Sequence, residues 1–182
     1  MYLRKWICFG IFYGFTNFAY STDAVMFTRG EVVLSGELIE AACVVDERDW
    51  EQWIEFGLLT AREIRSQKDN AITRSFHIRL QGCALESQIY PGVSYRRARI
   101  NFNSDSSSSD NQLIGITGDA KGFGIRLSDA AGKTVKLGEP TSDFILKSGI
   151  NTLNFKATIV PLNNNIKAGE FYATVSFFMD YL

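Results

Sequence analysis

Few residues in this 182-residue chain have types and spacing that could support catalysis or metal binding. His77 is the only histidine; it falls on the polar side of an alternating stretch, two residues before Arg79. No Gly-x-Ser-x-Gly turn is present to expose a serine nucleophile, so a Ser–His–Asp assembly has no support. Gly132-Lys133-Thr134 has the ending of a phosphate-cradling loop. That loop also needs a glycine five residues before its last Gly, where Leu127 stands, and a helix after it, where the sequence reads as strand. A hairpin turn is the better reading. Gly118, Gly122 and Gly124 fail the dinucleotide-binding spacing and read as turn glycines. Asp46, Glu47, Asp49, Glu51 and Glu55 surround Trp50 and could contain a glycosidase pair, but carboxylates belong on a solvated strand and its turns in any case. Asp105 and Asp110 lie in a serine-rich loop without calcium-ligand spacing. Two sulfurs and one imidazole do not make a four-ligand zinc set. The expectation is a chain with no catalytic site, no metal and no cofactor, and not an enzyme.

Export decides how the cysteines are read. Residues 1–21 have the form of a secretory signal: basic Arg4 and Lys5, an apolar run from Trp6 to Phe15, then small residues around Ala19-Tyr20-Ser21. A membrane anchor is the alternative, but the apolar run is about half the roughly 20 residues a span needs. Cleavage is expected before Thr22 or after Ala19. Loss of Arg4 and Lys5 moves the formal net charge from -1 to -3. A mildly acidic domain without a basic stripe is a poor nucleic-acid binder, and no basic amphipathic helix suits a membrane surface. Cys8 leaves with the signal, so Cys43 and Cys83 remain. In an oxidising compartment they read as one disulfide, with two free buried thiols as the alternative. Its loop of about 40 residues is worth ~4 kcal/mol in the chain-entropy model.

The elements that must position these residues are short strands. Val32, Leu34 and Leu38 alternate with Glu31, Val33, Ser35 and Glu37, with Gly36 on the apolar side. Further strands are expected over 41–45, 53–56, 76–80, 95–102, 123–127, 134–137 and 153–159, with at most two helical turns in 58–71 and a polar loop over 103–111. The last stretch, 169–182, sets Phe171, Ala173, Val175, Phe177, Met179 and Tyr181 on one side and Tyr172, Thr174, Ser176, Phe178 and Asp180 on the other. This period-two pattern is that of a half-buried strand. So apolar a strand is hazardous at a sheet edge, and it needs a partner from this chain or another. Seven or eight short strands separated by turns predict one all-β sandwich of immunoglobulin-like type. By periodicity alone, residues 30–38 are either the chain's own first strand or a segment offered to a neighbour.

The run from Gly30 through Val32, Leu34, Gly36 and Leu38 to Cys43 resembles the start of mature chaperone–usher pilus (fimbrial) subunits. So do Phe76–Leu80 leading to Cys83, the segment Ala120–Gly132, and Ala168–Ala173 leading to the penultimate Tyr181. The resemblance covers nearly all of the mature chain. It implies the pilin fold: an incomplete immunoglobulin-like sandwich lacking its seventh strand, with a signal at 1–21, an N-terminal donor-strand extension at 22–38 and a pilin domain at 39–182. It implies that Gly30, Val32, Leu34, Gly36 and Leu38 form a donor strand for a neighbouring subunit, with Gly36, seven residues before Cys43, as the close-approach glycine. Phe171, Ala173, Val175, Phe177 and Met179 would wall the groove, and Tyr181 and the Leu182 carboxylate would be gripped by a periplasmic chaperone.

The function implied is structural: a subunit exported through the periplasm to the cell-surface fimbrium, polymerising by donor-strand exchange and contributing to bacterial adhesion. Its partners would be a periplasmic pilus chaperone, an outer-membrane usher and neighbouring subunits, with no nucleic acid and no small-molecule substrate. An exported carbohydrate- or ligand-binding sandwich of adhesin type is the alternative, although about 160 mature residues leave no room for a separate receptor domain. The segment from Asp46 to Glu55 with Trp50 and Trp53, together with the Met179–Leu182 ending, resembles the subunit that terminates a pilus at its base. The long proline-rich extension of that subunit is missing here, so the expected role is a minor subunit, with base terminator as the variant.

Overall fold

The computed structural model describes residues 31–36, 41–66, 71–108 and 111–182. Two compact units divide at Glu37/Leu38. In the first unit, residues 31–36 form no helix or strand and every one is exposed. The expected signal at 1–21, as well as Gly30 and Leu38 of the expected donor strand, lies outside the described residues.

The second unit is an all-β sandwich. Its first sheet contains β1 (Val44–Val45), β2 (Thr73–Cys83), β5 (Phe123–Asp129) and β7 (Gly149–Pro161), in the order β1-β2-β7-β5 with every pair antiparallel. The second contains β3 (Arg97–Asn103), β6 (Phe144–Ile145) and β9 (Ser176–Tyr181), in the order β6-β3-β9. A short ladder joins β4 (Thr117–Gly118) to β8 (Phe171–Tyr172). Helix is limited to a 3-10 turn at Glu47–Asp49 and α1 (Ala61–Arg65). Thr60 and Glu63 start α1 with a reciprocal capping box.

Alternation fills the core. β2 contributes Ile78 and Leu80, β3 contributes Ala98, Ile100 and Phe102, and β7 contributes Leu153, Phe155, Ala157 and Ile159; all are buried. Phe102 meets Phe155 edge-on at 5.1 Å, and Phe76 stacks on Phe155 at 5.5 Å. The first pair joins the two sheets, and the second is a cross-strand pair within the first sheet. Each such side chain, fully buried, is worth about 1.5–3 kcal/mol.

The disulfide depends on a bulge. Strict alternation after Leu80 would bring Gly82 to the core face and turn Cys83 outward. The register of β2 against β7 slips between Leu80 and Cys83, where Gly82 has φ +60°. That backbone suits glycine, and the slip returns Cys83 to the buried side, where it is bonded to Cys43.

Four expected elements differ, the fourth at the turn after β5. Residues 53–56 form no strand: the carbonyls of Glu55 and Phe56 accept from the Arg74 guanidinium at 3.2 and 2.9 Å, so side chains rather than a ladder tie the segment to β2. Of 41–45, only Val44–Val45 pairs as strand. The final strand is split into β8 and β9, because the Thr174 carbonyl between them accepts from the Ser104 hydroxyl at 2.9 Å. The turn at 129–133 falls where the hairpin was expected, but its second arm, 134–137, forms no strand and meets β5 only through the isolated bridge Ser128↔Thr134 and the Val135 N–H. Val135 N–H donates to Leu127 O at 2.9 Å, Asp129 N–H to Lys133 O at 3.0 Å, and Gly132 has φ +85°.

Candidate strand-accepting site

The described residues considered for catalysis form no catalytic or metal-binding group. His77 is exposed on β2, with its carbonyl accepting from the Gln52 amide at 2.8 Å. Among the described residues no group of three His, Cys, Asp or Glu is placed to hold a metal ion. No helix among them is long and apolar enough to cross a membrane.

The carboxylates around Trp50 carry one correction. They are not all solvated: Asp46 and Asp49 are buried, at 5% and 3% exposure. Asp46 accepts from the Arg48 backbone N–H at 3.0 Å, from the Arg48 guanidinium at 2.7 Å, and from the Gln81 amide. Asp49 accepts from the Arg79 backbone N–H at 2.7 Å and from both arms of its guanidinium at 2.9 and 2.8 Å. Hydrogen bonding to these arginines holds both carboxyls below the usual carboxylate range, against the opposing effect of burial. The paired geometry is bidentate and every acceptor is used. It is a clamp on the edge of β2, not an acid–base pair. Its signal lay in Asp46 and Asp49 standing three apart opposite Arg79 and Gln81, two positions on one face of β2.

Along 171–182 the side chains follow the expected alternation without a break. Phe171, Ala173, Val175, Phe177, Met179 and Tyr181 are half-buried and packed on the core, while the intervening residues and Leu182 are exposed. Phe177 reaches Phe102 at 6.2 Å, and Phe171 meets Phe123 edge-on at 5.0 Å. β9 pairs with β3 on one side only, from Ala98↔Tyr181 to Asn103↔Ser176. Among the described residues no strand pairs with its other side.

What faces that free edge is the segment 43–56. The two meet at both ends: the Tyr181 hydroxyl donates to Cys43 O at 3.0 Å, and Phe56 lies 6.2 Å from Phe171. Between those ends, no backbone hydrogen bond joins them among the described residues. Half-buried apolar side chains thus stand along a strand whose far side is unpaired among the described residues, an edge to which another strand can be added. Burial also raises the Tyr181 phenol above its ordinary value. At the chain's last position Leu182 N–H donates to Arg97 O at 2.8 Å, and Leu182 O accepts from the N–H groups of Arg96 and Arg97 at 2.8 and 2.9 Å.

The donor residues can be placed only in part. Val32 and Leu34 are 83% and 90% exposed, and a Cβ added at Gly36 would meet nothing within 4 Å.

An all-β sandwich with one disulfide and one unpaired apolar edge defines the class, and comparison with known proteins gives the family. The model for the family described as "Fimbrial protein" matches residues 32–182, and the chain belongs to that family. It is 28% identical to the Fimbria A protein of Serratia marcescens over 84% of each chain. It is 31% identical to an uncharacterized fimbrial-like protein, YbgD, of Escherichia coli K12, over 92% of this chain and 91% of that one. The PRS fimbrial minor pilin protein of Escherichia coli is 26% identical over 84% of this chain and 77% of its own. Among solved structures, the P pilus rod subunit PapA superposes with a TM-score of 0.67 at 20% identity, covering 78% of this chain and all of that one. A chaperone–usher pilus structure gives 0.65 at 20% identity, covering 85% of this chain and 96% of that one. The chain is a structural pilin subunit of a chaperone–usher fimbria, not an enzyme.

Proposed function

We propose that this pilin polymerises by donor-strand exchange. The extension 22–38 of one subunit lies along β8 and β9 of the next, with Val32, Leu34 and Leu38 inserted between Phe171 and Tyr181, Gly36 passing close to the recipient backbone, and Gly30 on the same face. The observation that carries this reading is the unpaired side of β9 with its row of half-buried apolar side chains. Before assembly a periplasmic chaperone covers the same groove, with contacts at Tyr181 and Leu182, and an outer-membrane usher delivers the subunit to the surface fimbria. The domain at 39–182 is the recipient and 22–38 the donor. Within the fimbria the chain is a minor subunit and contributes to adhesion through the fibre.

Leu34→Asp tests exchange. The side chain is 90% exposed before assembly, so the subunit folds as usual. Burying an unpaired carboxylate in the groove costs several kcal/mol, and incorporation into fimbriae drops on the order of a hundredfold. Normal incorporation of Leu34→Asp would reject the reading. A base terminator would also lose incorporation in this variant, but unlike the main reading it would accept no donor peptide into its own groove.

A further inference from the structure

Gly118 and Gly122, which fit no cofactor motif, stand with Gly169 where two backbones meet too closely for a side chain between them. A Cβ at Gly118 would lie 2.4 Å from the Glu170 carbonyl oxygen, and one at Gly169 would lie 2.8 Å from the Ala120 nitrogen. Gly122 has the same relation to the Asn165 carbonyl oxygen, at 2.4 Å. Gly118 also has φ +119°, a backbone that suits glycine. Hydrogen bonds use the close approach. The N–H groups of Asp119 and Ala120 both donate to Glu170 O, at 3.0 and 3.1 Å, and Lys121 and Lys167 exchange backbone bonds at 3.1 and 3.0 Å.

This clasp serves one strand. β4 belongs to neither main sheet, and among the described residues its one ladder is to β8, with Thr117↔Tyr172 and Gly118↔Phe171. The inward row is therefore held in two halves. β9 lies along six residues of β3, whereas Phe171 has only the two-residue ladder with β4. The break at Thr174 separates the halves, so β3 does not dictate where Phe171 stands. Phe171 nevertheless completes the row, edge-on to Phe123 at 5.0 Å and 6.2 Å from Phe56. Ordinary Cβ contacts begin near 3.4 Å, so alanine at 118 would push Glu170, and Phe171 after it, away by about 1 Å.

Resting on the strand-exchange reading, we infer that Gly118 and Gly169 are positioning residues for strand acceptance: by letting residues 118–120 close on 169–171, they set Phe171 in line with the apolar row of β9 before a donor arrives. An incoming strand then meets one continuous row, although two different strands support it. The glycines act through Phe171 and not on the donor itself.

Donor peptides of different reach test this on the mature chain carrying Leu34→Asp. Peptide 29–41 spans the row, while 29–37 and 33–41 each lack one end. Whichever way the strand runs, one of the two lacks the end that lies over β8. Gly118→Ala is expected to weaken 29–41 and one shortened peptide about tenfold and to leave the other unchanged, because only the anchor at Phe171 is lost. Gly169→Ala should give the same pattern. Phe171→Ala should cost little more in the Gly118→Ala background, since both changes remove one contact. Equal weakening of all three peptides would mark a merely structural defect and overturn the role. A second measurement leaves both glycines in place: the Asp119 and Ala120 amides should exchange slowly with solvent before any peptide is added. Fast exchange that slows only with peptide would mean that the donor builds the clasp, and the inference would fall. If 29–41 does not bind the chain with both glycines in place, strand exchange fails and the inference with it. If it binds that chain and Gly118→Ala alike, exchange stands and the positioning role alone falls.

Discussion

The two walls of the proposed groove are built on opposite physics. On one side, residues 43–56 are held by a disulfide, two buried aspartates and their arginines, and side-chain bonds from Gln52 and Arg74. On the other, β9 offers a half-buried apolar row and a backbone edge unpaired among the described residues; the two walls meet through Tyr181 and Cys43 and, at β8, through Phe171 and Phe56. The difference shows how a subunit can be firm and unfinished at once. Directional polar bonds are complete without a partner, so they fix one wall in every state. Apolar surface and unpaired N–H groups are incomplete without one, so they make the other wall wait for a strand. A free edge of this kind is an aggregation hazard, and on the strand-exchange proposal the same hazard becomes the joint between subunits.

The comparison breaks most severely at the disulfide. Replacing Cys43 and Cys83 together by serine removes the cross-link that holds the firm wall to β2. It should cost ~4 kcal/mol of domain stability, measured by urea unfolding. Next comes Gly36→Asn, which probes the waiting wall alone. Nothing surrounds the position in the free subunit, so folding should be unchanged while donor insertion slows about tenfold or more. Equal insertion rates would remove Gly36 from the close-approach role.

Asp49→Asn affects only the firm wall. It weakens three bonds from Arg79 and should lower the unfolding midpoint by about 5 °C, with donor affinity little changed. The pH dependence follows from the same pair. The folded Asp49 carboxyl titrates below its ordinary value, so its stabilisation is fully present above the unfolded value of about 3.9 and is lost as pH falls through the lower folded one. Stability from the clamp should therefore be flat between pH 7 and 5 and fall below about pH 4 in the parent, with a smaller fall in Asp49→Asn. Smallest is Tyr181→Phe, which removes one bond between the walls and should cost about 1 kcal/mol.

Much of this was legible in the sequence because it rests on period two. The inward row from Phe171 to Tyr181, the strands around Ile78, Ile100 and Phe155, and the hairpin at Gly132 follow from alternation and turn residues alone. The pairing of Cys43 with Cys83 followed from export. The break between β8 and β9 was not legible, since it depends on the Ser104 hydroxyl taking the Thr174 carbonyl from seventy residues away. Nor was the failure of 53–56 to pair, which depends on Arg74. The buried aspartates were misread as solvated because a charge is buried only when its partners arrive, and Arg79 and Gln81 arrive through tertiary structure.

The most direct measurement of the central claim uses the mature chain carrying Leu34→Asp, which disables its own extension as a donor. Its thermal unfolding is followed alone and with a peptide spanning residues 29–41. An unfinished groove predicts a low midpoint for the chain alone and a rise of at least about 15 °C with peptide, since a tightly bound strand adds several kcal/mol by mass action. A high midpoint without peptide, unchanged when peptide is added, would contradict it.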